Sequence, residues 1–460
     1  MKSYELQPTY ENLLNTYLND TIARDKDVFY FIEILNSIND SCAISLDGGW
    51  GSGKTFFVKQ IKMVLDAHND FITSYDDEDK RKIKALWAQH HKNQPLELET
   101  QVSVYYDSWE NDNDEDPILS LVYSILQSVE NDYSFKKGAD CLQIAANIME
   151  FFSGKNWMQL INNLKGEDPL QKLKKEKEIQ QIFKEFMDSL LLEKGNRLVV
   201  FIDELDRCKP SYAVRLLERI KHYFSNNRIT FVFSVNTYEL QHTIKQYYGV
   251  EFNASKYLDR FFDLRISLPP ADLNRYYQSI NFDDRHYTYD IVCDAVIRAY
   301  HFELREIAKY LKLTKVAAYE PTHGNKKFDF LFSDGRGLQF GLIYVVPIMI
   351  GLKICDSRRY SDFINGRDYT PLLEIANILR DWDFYRLLSR TESFEENDDG
   401  KTVVSLESKL KELYNILFVN CFTNGTYEVC MGEYSFDRNT RETLIRTASL
   451  LSRFANTDID

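Results

Sequence analysis

The fold is decided by residues 48–55, which read Gly48-Gly49-Trp50-Gly51-Ser52-Gly53-Lys54-Thr55. This stretch fits the pattern G-x-x-x-x-G-K-[ST], whose glycines let backbone N–H groups wrap a phosphate group at the N-terminus of a helix. An apolar run at residues 42–46 precedes it, and residues 56–67 have the apolar spacing of a helix. A strand, a glycine-rich loop and a helix in this order predict a phosphate-binding loop.

Two side chains of this loop have direct chemical roles. Lys54 would reach the outer phosphates of a nucleoside triphosphate, and the Thr55 hydroxyl would meet Mg²⁺. The helix that starts here directs the positive end of its dipole at the phosphates. We therefore expect ATP and Mg²⁺ as cofactors, with GTP left open as the nucleotide. The predicted nucleotide contacts are Gly48, Gly49, Trp50, Gly51, Ser52, Gly53, Lys54, Thr55 and Phe56.

A second motif is the apolar run at residues 198–202, which ends in carboxylates. A strand end beside a phosphate loop is where the magnesium ion and the attacking water must be held. We predict that Asp203 holds the metal ion through its water shell. Glu204 is the predicted catalytic group that polarises water, and Asp206 is the alternative.

Three further side chains are candidates for sensing or offsetting the charge of the triphosphate. Asn236 follows the apolar run at residues 229–235, where its amide can orient water, although asparagine at a strand end is commonly only a turn residue. Arg260 is predicted to be an arginine finger across a subunit contact, and Arg305 to be a sensor in a helical lid. For both arginines a surface ion pair is the alternative, and action in cis or in trans is left open.

The composition is that of a folded, soluble protein. Of 460 residues, 44% are hydrophobic and 27% are charged. The net charge of −14 disfavours nonspecific binding to nucleic acid, and a nucleic-acid partner is left open. Seven cysteines without Cys-x-x-Cys spacing fit reduced thiols, and residues 1–5 lack the features of a signal peptide. These observations predict a cytoplasmic protein.

Two weaker features are a long apolar run and a histidine pair. The run at residues 340–354 contains Pro347 and falls short of the roughly 20 residues that a bilayer span needs. We interpret it as a buried helix or helix pair, so we expect no transmembrane segment and leave peripheral membrane contact open. The pair His90-His91 has no cysteine or carboxylate at ligand spacing, so no metal site is expected there.

Three stretches together resemble the KAP family of P-loop NTPases: residues 49–55, Tyr105-Tyr106-Asp107-Ser108-Trp109-Glu110, and Phe201-Ile202-Asp203-Glu204-Leu205-Asp206-Arg207-Cys208. That family has a tryptophan in the phosphate loop and an Asp-Asp/Glu-Leu-Asp-Arg-Cys box, whereas Asp107 here stands where asparagine is usual. The resemblance implies an α/β fold: an AAA-like additional-strand parallel sheet of five strands, flanked by helices, with the phosphate-loop strand at its centre.

The expected domains follow from these motifs. Residues 1–270 are predicted to form the P-loop NTPase core, with a helical insertion at about residues 110–195. Residues 271–315 are the predicted helical lid. Residues 316–460 are expected to be mostly helical, with a short hairpin signalled by Asn424-Gly425.

The resemblance implies an ATP-hydrolysing switch that is a homo-oligomer. Its nucleotide state would change the C-terminal region, which would contact a protein partner, and antiphage defence is a hypothesis for its role. Two other classes stay open: a nucleotide-locked signalling scaffold with little turnover, and a DNA-remodelling ATPase, which the acidic composition disfavours.

Overall fold

The computed structural model describes residues 6–114, 116–133, 181, 184–185, 187–223, 228–280, 282, 288–323, 336–379, 406–420, 428–431 and 434–451. The chain divides into two compact units, Gln7–Tyr276 and a second unit that extends from Tyr277 onward. Most of the predicted insertion, residues 134–180, lies outside the described residues.

The first unit is built around a five-stranded parallel sheet with the strand order β2-β3-β4-β1-β5. Its strands are β1 (Cys42–Asp47), β2 (Gln101–Asp107), β3 (Arg197–Asp203), β4 (Ile229–Val235) and β5 (Leu264–Ser267). The inner strands β3 and β4 are buried along their whole length, whereas the edge strand β5 is largely exposed. Strands covered by helices on both faces read as continuous apolar runs, which is why the sequence indicated them. The predicted parallel sheet between helices is confirmed.

The expected position of the phosphate-loop strand is wrong. β4 occupies the centre of the sheet, and β1 lies next to the edge strand β5. The reason is that β4 pairs on both sides: Ser234 is in register with Asp203 of β3, and Val235 with Asp47 of β1. The ends of β1 and β3 therefore flank the end of β4, and the residues that follow these three strands share one edge of the sheet.

Helices cover both faces of this sheet. They are α1 (Tyr10–Asn19), α2 (Asp25–Ser37), α3 (Lys54–His68), α4 (Asp77–His90), α5 (Pro117–Asp132), α6 (Pro210–Tyr223), α7 (Thr237–Tyr248) and α8 (Ala254–Leu258). Alternate residues of β2, β3 and β4 join α5, α6 and α7 in one apolar core. On the opposite face α3 packs against β2, where the Ser103 hydroxyl donates to the buried Asp66 carboxylate. α9 (Leu273–Ser279) follows β5.

The second unit is mostly helical. Its α-helices are α10 (Thr288–Ala299), α11 (Leu304–His323), α12 (Arg336–Phe340), α13 (Val346–Cys355), α14 (Ser357–Ile364), α15 (Thr370–Ile378), α16 (Leu406–Asn415) and α17 (Arg438–Ala448). Two π-helical turns, Gly341–Val345 and Ile416–Asn420, extend α12 and α16. An antiparallel pair is formed by β6 (Val429–Met431) and β7 (Tyr434–Phe436). The Asn424-Gly425 turn lies outside the described residues, and this pair follows it in the chain.

The long apolar run forms a buried helix, as expected. α12, the first π-helical turn and α13 make one continuous helix whose part Gly337–Cys355 is long and apolar enough to cross a membrane by length and composition. Of its most apolar window, 67% is buried inside the protein. The core helix of a folded domain has the same properties. Within the described residues, no second helix meets this test.

Candidate functional site

The glycine-rich loop joins the end of β1 to α3. Gly51 and Gly53 have φ angles of 87° and 93°, which favour glycine because a side chain is strained there. Gly53 is the N-cap of α3 and offers no side chain to its first turn. The first N–H groups of α3 are therefore left for an anion. A Cβ atom at Gly48 would lie 2.8 Å from the Ser52 Oγ atom, so a side chain there would displace the Ser52 hydroxyl.

Lys54 and Ser52 fit a phosphate ligand in this loop. The Lys54 ammonium group donates to the carbonyl oxygens of Gly48 at 2.7 Å and Gly49 at 3.0 Å. Burial lowers the pKa of Lys54, while the carboxylates of Asp206, Asp203, Glu204 and Asp47 act in the opposite direction. The buried Ser52 hydroxyl has no hydrogen-bond partner among the described residues. A buried ammonium group and an unpartnered hydroxyl in one loop are suited to phosphate oxygens.

Asp203 ends β3 in a fixed orientation. Its Oδ1 atom accepts the Glu204 N–H at 3.0 Å, and its Oδ2 atom accepts the Tyr105 hydroxyl at 2.9 Å. Burial, followed by the Asp203 charge, raises the pKa of Tyr105, so its hydroxyl stays a donor. The Lys59 ammonium group lies 4.3 Å from the Tyr105 ring centroid and completes this support from α3. Asp203 and the Thr55 hydroxyl are oxygen donors of the kind that Mg²⁺ prefers.

The two motifs meet through a tryptophan of the loop. The Trp50 indole N–H donates to the Asp206 carboxylate at 2.6 Å. The Arg207 guanidinium group lies 5.8 Å from the Trp50 ring centroid and 5.5 Å from that of Trp109. Trp50 and Trp109 are about half exposed, at 48% and 53%. The phosphate loop and the turn after β3 are thus joined by a hydrogen bond at the edge of the sheet.

Glu204 adopts a strained backbone conformation that the turn after it maintains. Its φ and ψ angles are 59° and 24°, a left-handed conformation that costs a non-glycine residue of order 1–2 kcal/mol. The 3₁₀ turn Leu205–Arg207 follows, and the Cys208 thiol donates to the Glu204 carbonyl oxygen at 3.6 Å. Arg207 forms an ion pair with the Glu204 carboxylate. Burial, followed by the charge of Asp203, raises the pKa of Glu204 to about 7, against the opposing effect of Arg207.

The remaining predicted residues lie at three different places. Asn236 is the N-cap of α7, where its side-chain oxygen accepts the N–H groups of Tyr238 at 3.1 Å and Glu239 at 3.3 Å. Of the Asn236 side chain, only the NH₂ group is then left to donate to a ligand. Arg260 lines a cavity with Cys42, the first residue of β1, at the opposite end of the sheet from the loop. Arg305 lies near the start of α11, in the second unit.

One supporting residue gave no signal in the sequence. Arg24 is buried, and its guanidinium group donates to the Ser52 carbonyl oxygen at 2.9 Å and to that of Pro269 at 2.6 Å. It therefore ties the phosphate loop to the chain that leaves β5. Tyr105 and Arg207 lie inside the quoted motifs, but only the structure gives them partners.

The family model of the KAP family P-loop domain matches residues 28–285 of this chain. The chain belongs to the KAP family. As a KAP family P-loop NTPase it is a nucleotide-binding protein, and the loop geometry described above agrees with that membership.

More distant similarities were also found for this KAP family protein. It is 39% identical over 77 residues to an uncharacterised protein of Methanocaldococcus jannaschii, a match that covers 16% of this chain and 39% of that protein. The structure of Aeropyrum pernix ORC2 in ADPNP-ADP complexes has 13% identity and a TM-score of 0.29, covering 88% of this chain and 92% of that one. Aeropyrum pernix ORC1 in complex with DNA has 13% identity and a TM-score of 0.34, covering 86% and 92%. The first match is short and the TM-scores of the two structures are low, so none of these similarities assigns a function.

Proposed function

We propose that this KAP family protein hydrolyses ATP in a magnesium-dependent reaction and works as an oligomeric switch. The observation that carries the proposal is the Trp50 to Asp206 hydrogen bond of 2.6 Å, because it joins the phosphate loop to the carboxylates after β3. This bond supports a single site formed by Lys54, Asp203 and Glu204, and the electrostatic effect of both carboxylates on Lys54 supports it as well.

The chemical roles follow from where each side chain is held. Thr55 and Asp203 would hold Mg²⁺, which supplies charge neutralisation between the phosphates when it is bound. Lys54 would exchange its two carbonyl partners for phosphate oxygens. Glu204 would orient the attacking water, since it directly follows Asp203 at the end of β3 and the Asp203 charge acts on its carboxyl group. Asp206 stays the alternative, although its carboxylate is already engaged by Trp50.

The proposed oligomer gives Arg260 a role in a neighbouring copy. β1 separates Cys42, beside Arg260, from the phosphate loop, and its six residues span roughly 20 Å. An arginine side chain cannot cover that distance, so a finger at this position serves another copy of the chain. Arg305 is proposed as a sensor and Asn236 as a group that orients water through its amide N–H.

One observation favours a second candidate, a nucleotide-locked scaffold with little turnover. Arg207 engages the Glu204 carboxylate and is flanked by two indole rings, so water must compete for Glu204 with a guanidinium group. In either case we propose that the helical second unit contacts a protein partner. A cytoplasmic location and a part in antiphage defence rest on the sequence and the family resemblance alone.

The first test is steady-state ATP hydrolysis by the wild type, Lys54→Ala and Glu204→Gln across protein concentration, with magnesium or EDTA. We expect magnesium-dependent turnover that rises steeply with protein concentration and is lost in both variants. Nucleotide binding is measured separately, and it should be lost in Lys54→Ala but kept in Glu204→Gln. Tight ATP binding by the wild type without turnover would reject the autonomous ATPase and support the scaffold.

A further inference from the structure

Two adjacent histidines at the end of α4 meet a carboxylate of α2. The His91 Nε2 atom lies 2.9 Å from the Glu33 Oε1 atom. One side-chain ligand atom each from Glu33, His90 and His91 lie within 4.8 Å of one another. No carboxylate stands at ligand spacing from this pair in the sequence, because Glu33 is 58 positions from His91 and is brought to it by the folding of α2 near α4.

The hydrogen bonds of His91 determine which of its nitrogens is free. Its Nδ1 atom lies 3.0 Å from the Trp87 carbonyl oxygen, which can only accept, so this contact favours the tautomer with the proton on Nδ1. In a neutral ring, Nε2 then presents a lone pair to the carboxylate oxygen of Glu33. Two acceptors at 2.9 Å require either a shared proton, carried by the ring or by the carboxyl group, or a metal ion between them.

Aromatic rings pack against both histidine rings, and one side of the group faces solvent. The His91 ring lies 4.1 Å from the Trp87 ring, and the His90 ring stacks on Phe29 at 4.1 Å. His91 is buried, whereas His90 is exposed. Water can therefore reach the group from the side of His90.

We propose that Glu33, His90 and His91 bind a divalent transition-metal ion of the zinc type, with water as the fourth ligand. Two imidazoles and one carboxylate are a common zinc donor set, and a backbone carbonyl on the other ring nitrogen is the usual support for a ligating histidine. Two zinc ligands at about 2.1 Å that subtend a tetrahedral angle lie about 3.4 Å apart. The ligand atoms of Glu33, His90 and His91 now lie within 4.8 Å of one another, so the group has to adjust on binding an ion.

The donor set also separates this site from the nucleotide site. Mg²⁺ prefers oxygen ligands, as Thr55 and Asp203 offer, whereas imidazole nitrogens select zinc and related ions. A bound ion would pin the end of α4 to α2, the helix that leads into β1 and the phosphate loop. Its expected effect is therefore on the stability of the first unit.

The test is zinc binding by the full chain after removal of metal with a chelator, in the absence of nucleotide. Zinc is titrated in competition with a chromophoric zinc indicator, and Co²⁺ replaces it to report tetrahedral coordination by its visible absorption. The variants are His90→Gln and Glu33→Gln. The matched controls are His242→Gln, which changes an exposed histidine elsewhere, and Asp203→Asn, which changes the nucleotide site.

We expect one equivalent of zinc at micromolar or tighter affinity, weakened at least about tenfold in His90→Gln and Glu33→Gln and unchanged in both controls. Because His90 is exposed, its replacement should not unfold the protein, and the melting temperature without metal checks this. Absence of saturable zinc binding, or equal binding by all four variants, would overturn the proposal and leave a His91–Glu33 ion pair. Neither result depends on whether the chain hydrolyses ATP.

Discussion

The two ends of the parallel sheet carry different sets of functional side chains. At the carboxyl end, Lys54, Asp203 and Glu204 gather around a loop that is cross-linked to the turn after β3. At the amino end, Arg260 lines a cavity of about 290 Å³ whose walls include Cys42, Lys221, Phe261 and Asp263. One end has the donors and carboxylates for a nucleoside triphosphate, whereas the other has Arg260 and, among the described residues, no phosphate-binding loop beside it.

Under the proposed function, this difference corresponds to a division of labour between copies of the chain. In an oligomer the amino end of one copy would complete the carboxyl end of the next, as an arginine finger acts in trans. The edge strand β5, which follows Arg260, is largely exposed, so this side of the sheet is accessible. Each prediction below tests one part of this division.

The largest expected effect is that of Arg260→Ala. Removal of an arginine finger should lower kcat by about 10³-fold while the affinity for ATP stays unchanged, because the finger acts on transition-state charge. Arg438→Ala, which changes an exposed arginine of the second unit, is the control.

Mixing two inactive variants tests whether Arg260 acts in trans. A mixture of Arg260→Ala and Glu204→Gln can form interfaces in which one copy supplies Arg260 and the other supplies Glu204. We therefore expect partial recovery of hydrolysis in the mixture. A mixture as inactive as its components, or wild-type activity of Arg260→Ala, would contradict the division between the two ends.

A slightly smaller loss, about 10²–10³-fold in kcat, is expected for Glu204→Gln, because general-base assistance contributes about that much. The comparison with Asp206→Asn decides between the two carboxylates. Asp206 accepts the Trp50 indole N–H, so its replacement should cost less than about tenfold in kcat. The reverse order of the two losses, measured at saturating ATP, would make Asp206 the group that polarises water.

The phosphate loop and the end of β3 were predictable because their signals are local. Glycines at positions that need positive φ, a lysine at the helix start and an apolar run ending in carboxylates are all contiguous in the chain. The strand order was not predictable in the same way. Which strand is central depends on how β4 pairs with β1 and β3, and no local pattern records that pairing.

The supporting residues were hidden for a related reason. The Arg24 to Ser52 and Tyr105 to Asp203 hydrogen bonds join residues 28 and 98 positions apart. Isolated polar residues at such separations resemble any surface residue until the chain folds. Asn236 differs from these residues, because its position at a strand end already predicted a turn role as the alternative. Its side-chain oxygen caps α7, which is such a role.

The carboxyl end also contains a buried carboxyl group, which predicts a pH-dependent effect on folding. Asp25 starts α2 next to Arg24, and burial, followed by the charge of Asp20, raises its pKa to about 8 against the opposing effect of Arg275. Its pKa in the unfolded chain is about 4. The stabilising contribution of protonated Asp25 is therefore complete below about pH 4 and is lost as the pH rises towards 8.

Asp25→Asn should remove this loss, because asparagine resembles the protonated acid and does not ionise. Relative to wild type, its free energy of unfolding should rise by about 1 kcal/mol per pH unit between pH 4 and pH 8. Urea unfolding at pH 5, 6.5 and 8 measures the difference. Asp77→Asn, at an exposed position in the first turn of α4, is the control. Parallel curves for wild type and Asp25→Asn would show that Asp25 is ionised in the folded protein.

The smallest effect concerns the cross-link between the loop and β3. Trp50→Phe keeps an aromatic ring beside Arg207 but removes the indole N–H that Asp206 accepts. A hydrogen bond to a carboxylate at a half-exposed position contributes about 1 kcal/mol, so the dissociation constant for ATP should rise about fivefold. Trp109→Phe is the matched control, since Trp109 also lies beside Arg207 but its ring donates no hydrogen bond among the described contacts. If both variants bind ATP equally well, the position of the loop is set by Lys54 and Arg24 instead, and the carboxyl end needs no tryptophan to assemble.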